Sequence, residues 1–415
     1  MPQKDTTKIP FTGYQKFVIF LLAITQFTVI LDFMIMSPLG DMLMKSMNIS
    51  TGQFGMAVSA YAISAGISGL LTAGFADKYD RKRLLVFFYS GFILGTFFCG
   101  FAPSYHLLIA ARIFTGLFGG VIGSISMAIV TDLFDIHHRG RVVGFLQMGF
   151  GASQVLGVPA GLYIANHWGW QSPFIMVAGL AAVIAIIIRL QMQPVNKHLA
   201  IQQDKTPLKH LLHTIAKRHY RMAFMATALL SIGGFMMMPF GSAFAINNLR
   251  LTKEQLPMLF MVSGVASLVI MPLIGRLADK IDKFALFCIA SGWMIVVVNL
   301  YTHLWATPLW EVMIFNVMMM MGFLSRMVPA GALVSAIPEM ADRGAFMSIN
   351  ASLQQISGGI AAMVAGKIVV QHTKTSPLEH YDILGYVITV ITIVGAVLLY
   401  RISMLVKKRL QEKKV

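Results

Sequence analysis

Residues Ala73–Leu85 read AGFADKYDRKRLL, a short charged stretch set between two apolar runs, Phe54–Leu71 and Leu84–Ala102. Each run is long enough to cross a bilayer, whose hydrocarbon core of about 30 Å takes roughly 20 helical residues. A variant, GRLADKIDK, returns at Gly275–Lys283, again between apolar runs. The shared core is Ala76-Asp77-Lys78 against Ala278-Asp279-Lys280, and Asp279 follows Asp77 by 202 positions. A second pair, Arg139-Gly140 and Arg343-Gly344, repeats after 204 positions. Two signals at nearly one offset, close to half of the 415 residues, indicate an internal duplication.

The rest of the chain has the composition this reading requires. It is 57% hydrophobic and 12% charged, with a mean hydropathy of +0.72, far too apolar for a soluble domain of this length. Apolar runs fall near 17–40, 53–76, 84–102, 107–134, 142–165 and 173–192, then near 221–247, 257–278, 284–304, 308–336, 344–370 and 384–405. That predicts an all-α membrane protein of twelve spans. The first run is too long for a signal-peptide core and no small-residue cleavage site follows it, so it reads as a retained span. Repeated halves are a sequence mark of secondary transporters.

The net charge of +16 would suit a nucleic-acid binder, but the basic residues sit mostly in short loops between apolar runs, where they set topology. Lys78, Arg81, Lys82, Arg83, Arg139, Arg141, Lys280, Lys283 and Arg343 fall in alternate loops, and the linker and tail add more. The other set of loops holds only Lys45, Arg250, Lys253 and Lys374. Both termini are therefore expected in the cytoplasm, with the protein in the plasma (inner) membrane. The linker near 193–220 divides the halves, 1–192 and 221–415. Within it Leu208, Leu211, Leu212 and Ile215 recur at helical spacing after Thr206-Pro207, which predicts an amphipathic helix lying on the membrane surface. His210 with His213, and His137 with His138, lack a third ligand and read as solvated. Asn48-Ile49-Ser50 is a glycosylation sequon read as chance. Cys99 and Cys288 both lie inside apolar runs, so no disulfide framework is expected. There is no phosphate-binding glycine loop and no enzyme constellation, hence no cofactor, no metal and no ATPase.

The hairpin resembles the major facilitator superfamily signature between spans 2 and 3, roughly G-x-L-A-D-[RK]-x-G-[RK]-[RK]. Here Ala73 replaces the first glycine and Asp80 the later one; the second copy keeps Gly275 and has Asp282 at the later place. The resemblance implies two pseudo-symmetric six-helix bundles around a site near the bilayer midplane, with access alternating by rocking. It also implies a gating hairpin in which Asp77, with Arg81 nearby, faces the N-terminal end of span 11, and Asp279 stands in the second copy.

Inside the spans, charges cost about 2.5–3.5 kcal/mol each on insertion scales, so each needs a reason. Asp32 lies some 15 residues into span 1, roughly 22 Å of rise, and Arg112 only about 7–8 Å into span 4 from the opposite end. The two runs cross in opposite directions, so the two charges reach similar depth; the resemblance implies that spans 1 and 4 are neighbours beside the central cavity, which makes a pair plausible. Leu108-x3-Arg112-x3-Gly116 resembles the span 4 motif of proton-coupled antiporters, L-x3-R-x2-Q-G-x-G, whose arginine is taken to act in proton transfer; Thr115 and Phe118 depart from it. Leu31–Leu39, with Asp32 and Pro38, looks like the span 1 pattern of drug:proton antiporters. Asp32 and Arg112 are thus the expected proton-coupling pair, against the alternative of a static pair that locks two helices. Span 5 departs from the antiporter pattern G-x3-G-P-x2-G-G, reading Gly157-Val158-Pro159-Ala160-Gly161-Leu162.

Gln147 and Gln154 in span 5, Asn316 and Arg326 in span 10, and Asn350 and Gln354 in span 11 are the cavity candidates, since polar groups in spans line cavities or bond between helices. Met236–Met238 and Met318–Met321 offer a soft apolar wall. The expected activity is proton-coupled efflux of a small molecule by a monomer, with the bilayer, protons and the cargo as partners and no nucleic acid. The alternative on the same fold is an importer or facilitator of a sugar, organic acid or siderophore.

Overall fold

The computed structural model describes residues 11–72, 76–196, 199, 207–339 and 342–412. Its named elements are all helical. The first half comprises α1 (Gly13–Ile35), α2 (Gly40–Met47), α3 (Thr51–Thr72), α4 (Arg81–Gly100), α5 (Tyr105–Leu133), α6 (Ile136–Ala152), α7 (Val158–Trp168) and α8 (Ser172–Gln191). After α9 (Pro207–Ala216) come α10 (Arg218–Phe235), α11 (Gly241–Asn247), α12 (Leu256–Lys280), α13 (Lys283–Thr302), α14 (Leu309–Ser335), α15 (Arg343–Ile368) and α16 (Tyr381–Glu412). Pro207 opens α9, as the linker sequence predicts; Thr206 and the His210 side chain lie outside the described residues.

These elements make twelve crossings in two six-helix bundles. Eleven long helices are apolar enough to cross a membrane on length and composition. The twelfth, α15, has the length, 26 residues, but carries Ser348, Asn350, Ser352, Gln354, Gln355 and Ser357. One face of it packs closely on α3: a Cβ on Gly55 would lie 2.5 Å from the Ala362 carbonyl, and one on Gly66 2.6 Å from the Ser352 carbonyl. Such close approach lets backbone pack on backbone. An even number of crossings puts both chain ends on one face, here the terminal face; the opposite one is the far face.

Three crossings are not continuous helices. Span 1 breaks between α1 and α2 at Met36–Leu39, around Pro38, and span 7 between α10 and α11 at Met236–Phe240, around Pro239. Proline lacks the amide that would continue the ladder. The two prolines are 201 positions apart, so the break belongs to the duplicated unit. Span 5 passes through a π-turn, Ser153–Gly157, between α6 and α7.

The duplicated hairpins explain where the sequence leaves the family pattern. Asp80 Oδ1 accepts from the amide of Arg83 at 2.9 Å and caps α4. Asp282 Oδ1 accepts from Phe284 and Ala285 at 3.1 and 3.0 Å and caps α13. A short acid at this place satisfies amides that a helix start leaves open.

The halves meet at the far face. Ser37 Oγ donates to the Met238 carbonyl, and Ser242 Oγ returns a bond to Ser37 O at 2.9 Å, so the two helix breaks close on each other. Just beyond, buried Asp41 accepts from Asn247 Nδ2 at 2.7 Å and pairs with Lys45 at 2.7 Å, while Lys45 also donates to Asn247 Oδ1 at 3.2 Å. Thr51 Oγ1 donates to Val369 O at 2.7 Å. The far face is closed.

Candidate functional site

Between the halves lies a cavity of about 260 Å³. The broken spans bring Phe33, Met34 and Ser37 to one wall and Phe235, Met237 and Met238 to the other, with Met319, Met320 and Phe323 of α14 opposite. Gln154 enters from the π-turn and Asn316 from α14. Gln154 Oε1 also accepts from Ser267 Oγ of α12 at 2.9 Å, a bond between the halves. Among the described residues no lining side chain carries a carboxylate, an imidazole, an ammonium or a guanidinium. The methionine segments supply Met237, Met238, Met319 and Met320, while Met236 is buried in the core.

Two tyrosines were not singled out in the sequence. Tyr301 of α13 and Tyr381 of α16 both line this cavity, Tyr381 stacked on Phe244 with ring centroids 4.0 Å apart. The Tyr381 hydroxyl is buried without a partner, so it can donate to a bound molecule. A tyrosine in an apolar run gives no charge signal, which is why periodicity passes over it. Gln147 lines neither this cavity nor the second one described below. It lies seven residues, roughly 10 Å, nearer the terminal face than Gln154, and is exposed on α6.

The two intramembrane charges meet. Arg112 Nη1 donates to Asp32 Oδ2 at 2.9 Å, and both side chains are 0% exposed. Thr96 Oγ1 donates to the other oxygen, Oδ1, at 3.1 Å. The guanidinium lies over the Tyr61 ring at 4.5 Å. Span 4 can place the arginine there because small residues let span 2 close in: a Cβ on Gly116 would lie 2.4 Å from Tyr61 O. The pair does not line the cavity. Asp32 points to α4 and α5, while its neighbours Phe33 and Met34 face the cavity, as successive residues 100° apart on a helix do. Phe33 packs on Tyr61 with centroids 5.5 Å apart, so two aromatic rings stand between the cavity and the pair.

A second cavity, of about 60 Å³, lies wholly among C-terminal helices. It gathers Arg326 of α14, Asn350 and Gln354 of α15, and Thr227 of α10. These three candidates therefore share a site, but not the one that holds Gln154 and Asn316.

Part of the hairpin can be placed. Arg81 donates to Asp132 Oδ2 at 3.3 Å and to Ala76 O at 3.0 Å, which ties the hairpin to the end of α5 within its own half. At the N-terminal end of α15, Asp342 pairs with Lys217 and accepts from Tyr220 Oη at 2.9 Å. The side chain of Asp77 lies outside the described residues, and Asp279 is exposed at the end of α12.

The family model described as Major Facilitator Superfamily matches residues 22–280 and 223–414. The chain is 24% identical over 390 residues, 90% of its length and 94% of the relative's, to the uncharacterized MFS-type transporter YbcL of Bacillus subtilis (strain 168). It is 25% identical over 281 residues, 66% of its length and 70% of the relative's, to a probable sugar efflux transporter of Helicobacter pylori (strain G27). In fold it is similar to a crystal structure of a D-xylose-proton symporter, with a TM-score of 0.77 at 15% identity over 94% of this chain and 98% of that one.

Proposed function

The chain belongs to the major facilitator superfamily and is a multi-pass membrane transporter, and from that premise we propose that it exports a small, uncharged, largely apolar molecule in exchange for protons. The observation that carries this reading is the central cavity. Its methionines and phenylalanines adapt to varied apolar shapes, and Gln154, Asn316, Tyr301 and Tyr381 offer a few fixed hydrogen bonds. A uniformly charge-free wall would leave a cargo's charge unpaired in low dielectric, which selects against charged cargo. The Helicobacter pylori relative is a probable sugar efflux transporter, which fits export.

On this reading 1–192 and 221–415 rock about the linker 193–220, with the terminal face in the cytoplasm and the protein in the plasma membrane as a monomer. Asp32 takes and releases the proton. Arg112 holds the carboxylate charged while the pair is closed, and a rearrangement of Phe33 and Tyr61 gives it access. The decisive experiment uses inverted membrane vesicles with an apolar fluorescent cargo. Acidifying the lumen should drive cargo inward, and collapsing the pH gradient should stop it. Accumulation only in right-side-out vesicles would replace export by import, and flux indifferent to pH would remove the proton.

A further inference from the structure

The small cavity among the C-terminal helices carries a charge with no counter-charge. Arg326 is 3% exposed, forms no ion pair among the described residues, and its Nε has no hydrogen-bond partner. The face of the Phe287 ring lies 5.7 Å from the guanidinium carbon. No acid lines the cavity. Glu311, the acid on the same helix, stands 15 residues away, about 22 Å of rise. The contrast with Arg112, whose Asp32 is at 2.9 Å, is direct. A guanidinium cannot discard its proton in a protein, so a buried one needs an anion.

The surrounding groups are arranged as donors. Thr227 Oγ1 donates to Asn350 Oδ1 at 2.7 Å, which uses the amide's oxygen and leaves its Nδ2 hydrogens for the cavity. Gln354, one turn further along α15, lines the same space. We propose that this cavity is a binding site for a monovalent carboxylate, held by Arg326 and Asn350, separate from the cargo cavity. One guanidinium neutralises one charge, which disfavours phosphate and sulfate. Its planar fork matches two carboxylate oxygens, which a spherical halide does not exploit. A water needs roughly 10–15 Å³ of such space, so about 60 Å³ admits a carboxylate with one or two carbons, not a whole drug-sized molecule. The site lies one helical turn from the central cavity: Phe323 lines one and Arg326 the other, as do Gly233 and Leu230. The carboxylate therefore comes either from a free small anion or from the end of a larger molecule that reaches across. Neither export nor proton coupling enters this assignment.

The test is binding, measured without transport. Full-length protein in detergent is titrated at constant ionic strength with sodium acetate, benzoate, chloride and phosphate, following thermal unfolding. A saturable rise in Tm with acetate assigns the site to free small anions; a rise with benzoate alone assigns it to the carboxylate end of a larger molecule. In either case Arg326→Met should weaken the response at least tenfold, and Asn350→Ala several-fold, the latter keeping the test valid where Arg326→Met does not fold. The proposal is overturned by a wild-type protein indifferent to both carboxylates, by chloride or phosphate acting as strongly as they do, or by variants that respond like wild type.

Discussion

Asp32 and Arg112 neutralise each other in a place that water does not reach, so each is hostage to the other. Removing one partner from a buried pair costs about 3–5 kcal/mol, because the remaining charge stays buried. Arg112→Ala should lower the thermal stability of the detergent-solubilised protein by an amount of that order, and Arg112→Lys by less, since the charge remains while the planar fork is lost. Asp32→Asn keeps the shape and the Thr96 contact but cannot titrate. It should abolish gradient-driven accumulation in vesicles while downhill exchange of cargo persists; uphill accumulation at the wild-type rate would reduce the pair to a structural clamp. Much of this pair was legible in sequence, because an ionisable residue in an apolar run is costly and so conspicuous. The aromatic screen formed by Phe33 and Tyr61 was not, since which side of a helix faces a cavity depends on neighbours far away in the chain. For the same reason Gln147 and Gln154 looked alike in sequence, yet only Gln154 reaches the cavity.

At the scale of elements, the two hairpins show a repeated device. Asp80 and Asp282, 202 positions apart, each start the next crossing by capping its first amides. Replacing either with alanine should cost about 1 kcal/mol, and with asparagine only a few tenths, read as shifts in thermal midpoint. Asp282 also receives Lys407 of α16 at 2.8 Å. That hydrogen bond, with those from Ala285 and Phe284, holds its carboxyl below the usual carboxylate range. The sign follows: stability from this contact is complete above about pH 4, the unfolded value, and is lost as pH falls through the lower folded value. Asp282→Asn should flatten that part of an acid-unfolding curve, modestly, since the pair is partly exposed. Positions of the crossings were legible to within a few residues because hydropathy tracks burial in lipid. The breaks at Pro38 and Pro239 and the π-turn in span 5 were not, because apolar content runs through them unchanged while the backbone hydrogen bonding alters.

For the whole molecule, the closed far face implies a seal that must open in each cycle. Asn247→Ala removes the amide that Asp41 and Lys45 share across the halves. A membrane-impermeant thiol reagent added at the far face should then label a Met34→Cys reporter several-fold faster than in the parent; an unchanged rate would mean the seal does not depend on this contact. Tags at residue 412 and in the linker should both report the cytoplasm, as the distribution of Lys and Arg requires. The eleventh crossing has a consequence for how the chain is made. A segment with six polar residues partitions from the translocon into lipid less readily than its neighbours, so α15 is expected to depend on a partner already in the bilayer. That partner is α3, synthesised nearly 300 residues earlier. Integration of this protein is then expected to be completed late, by assembly of its two ends, and not crossing by crossing in order of synthesis. Gly66→Leu, placed where α3 meets the Ser352 carbonyl, should leave a fraction of newly made chains with α15 untranslocated, visible as Ser376→Cys becoming unreachable from the far face.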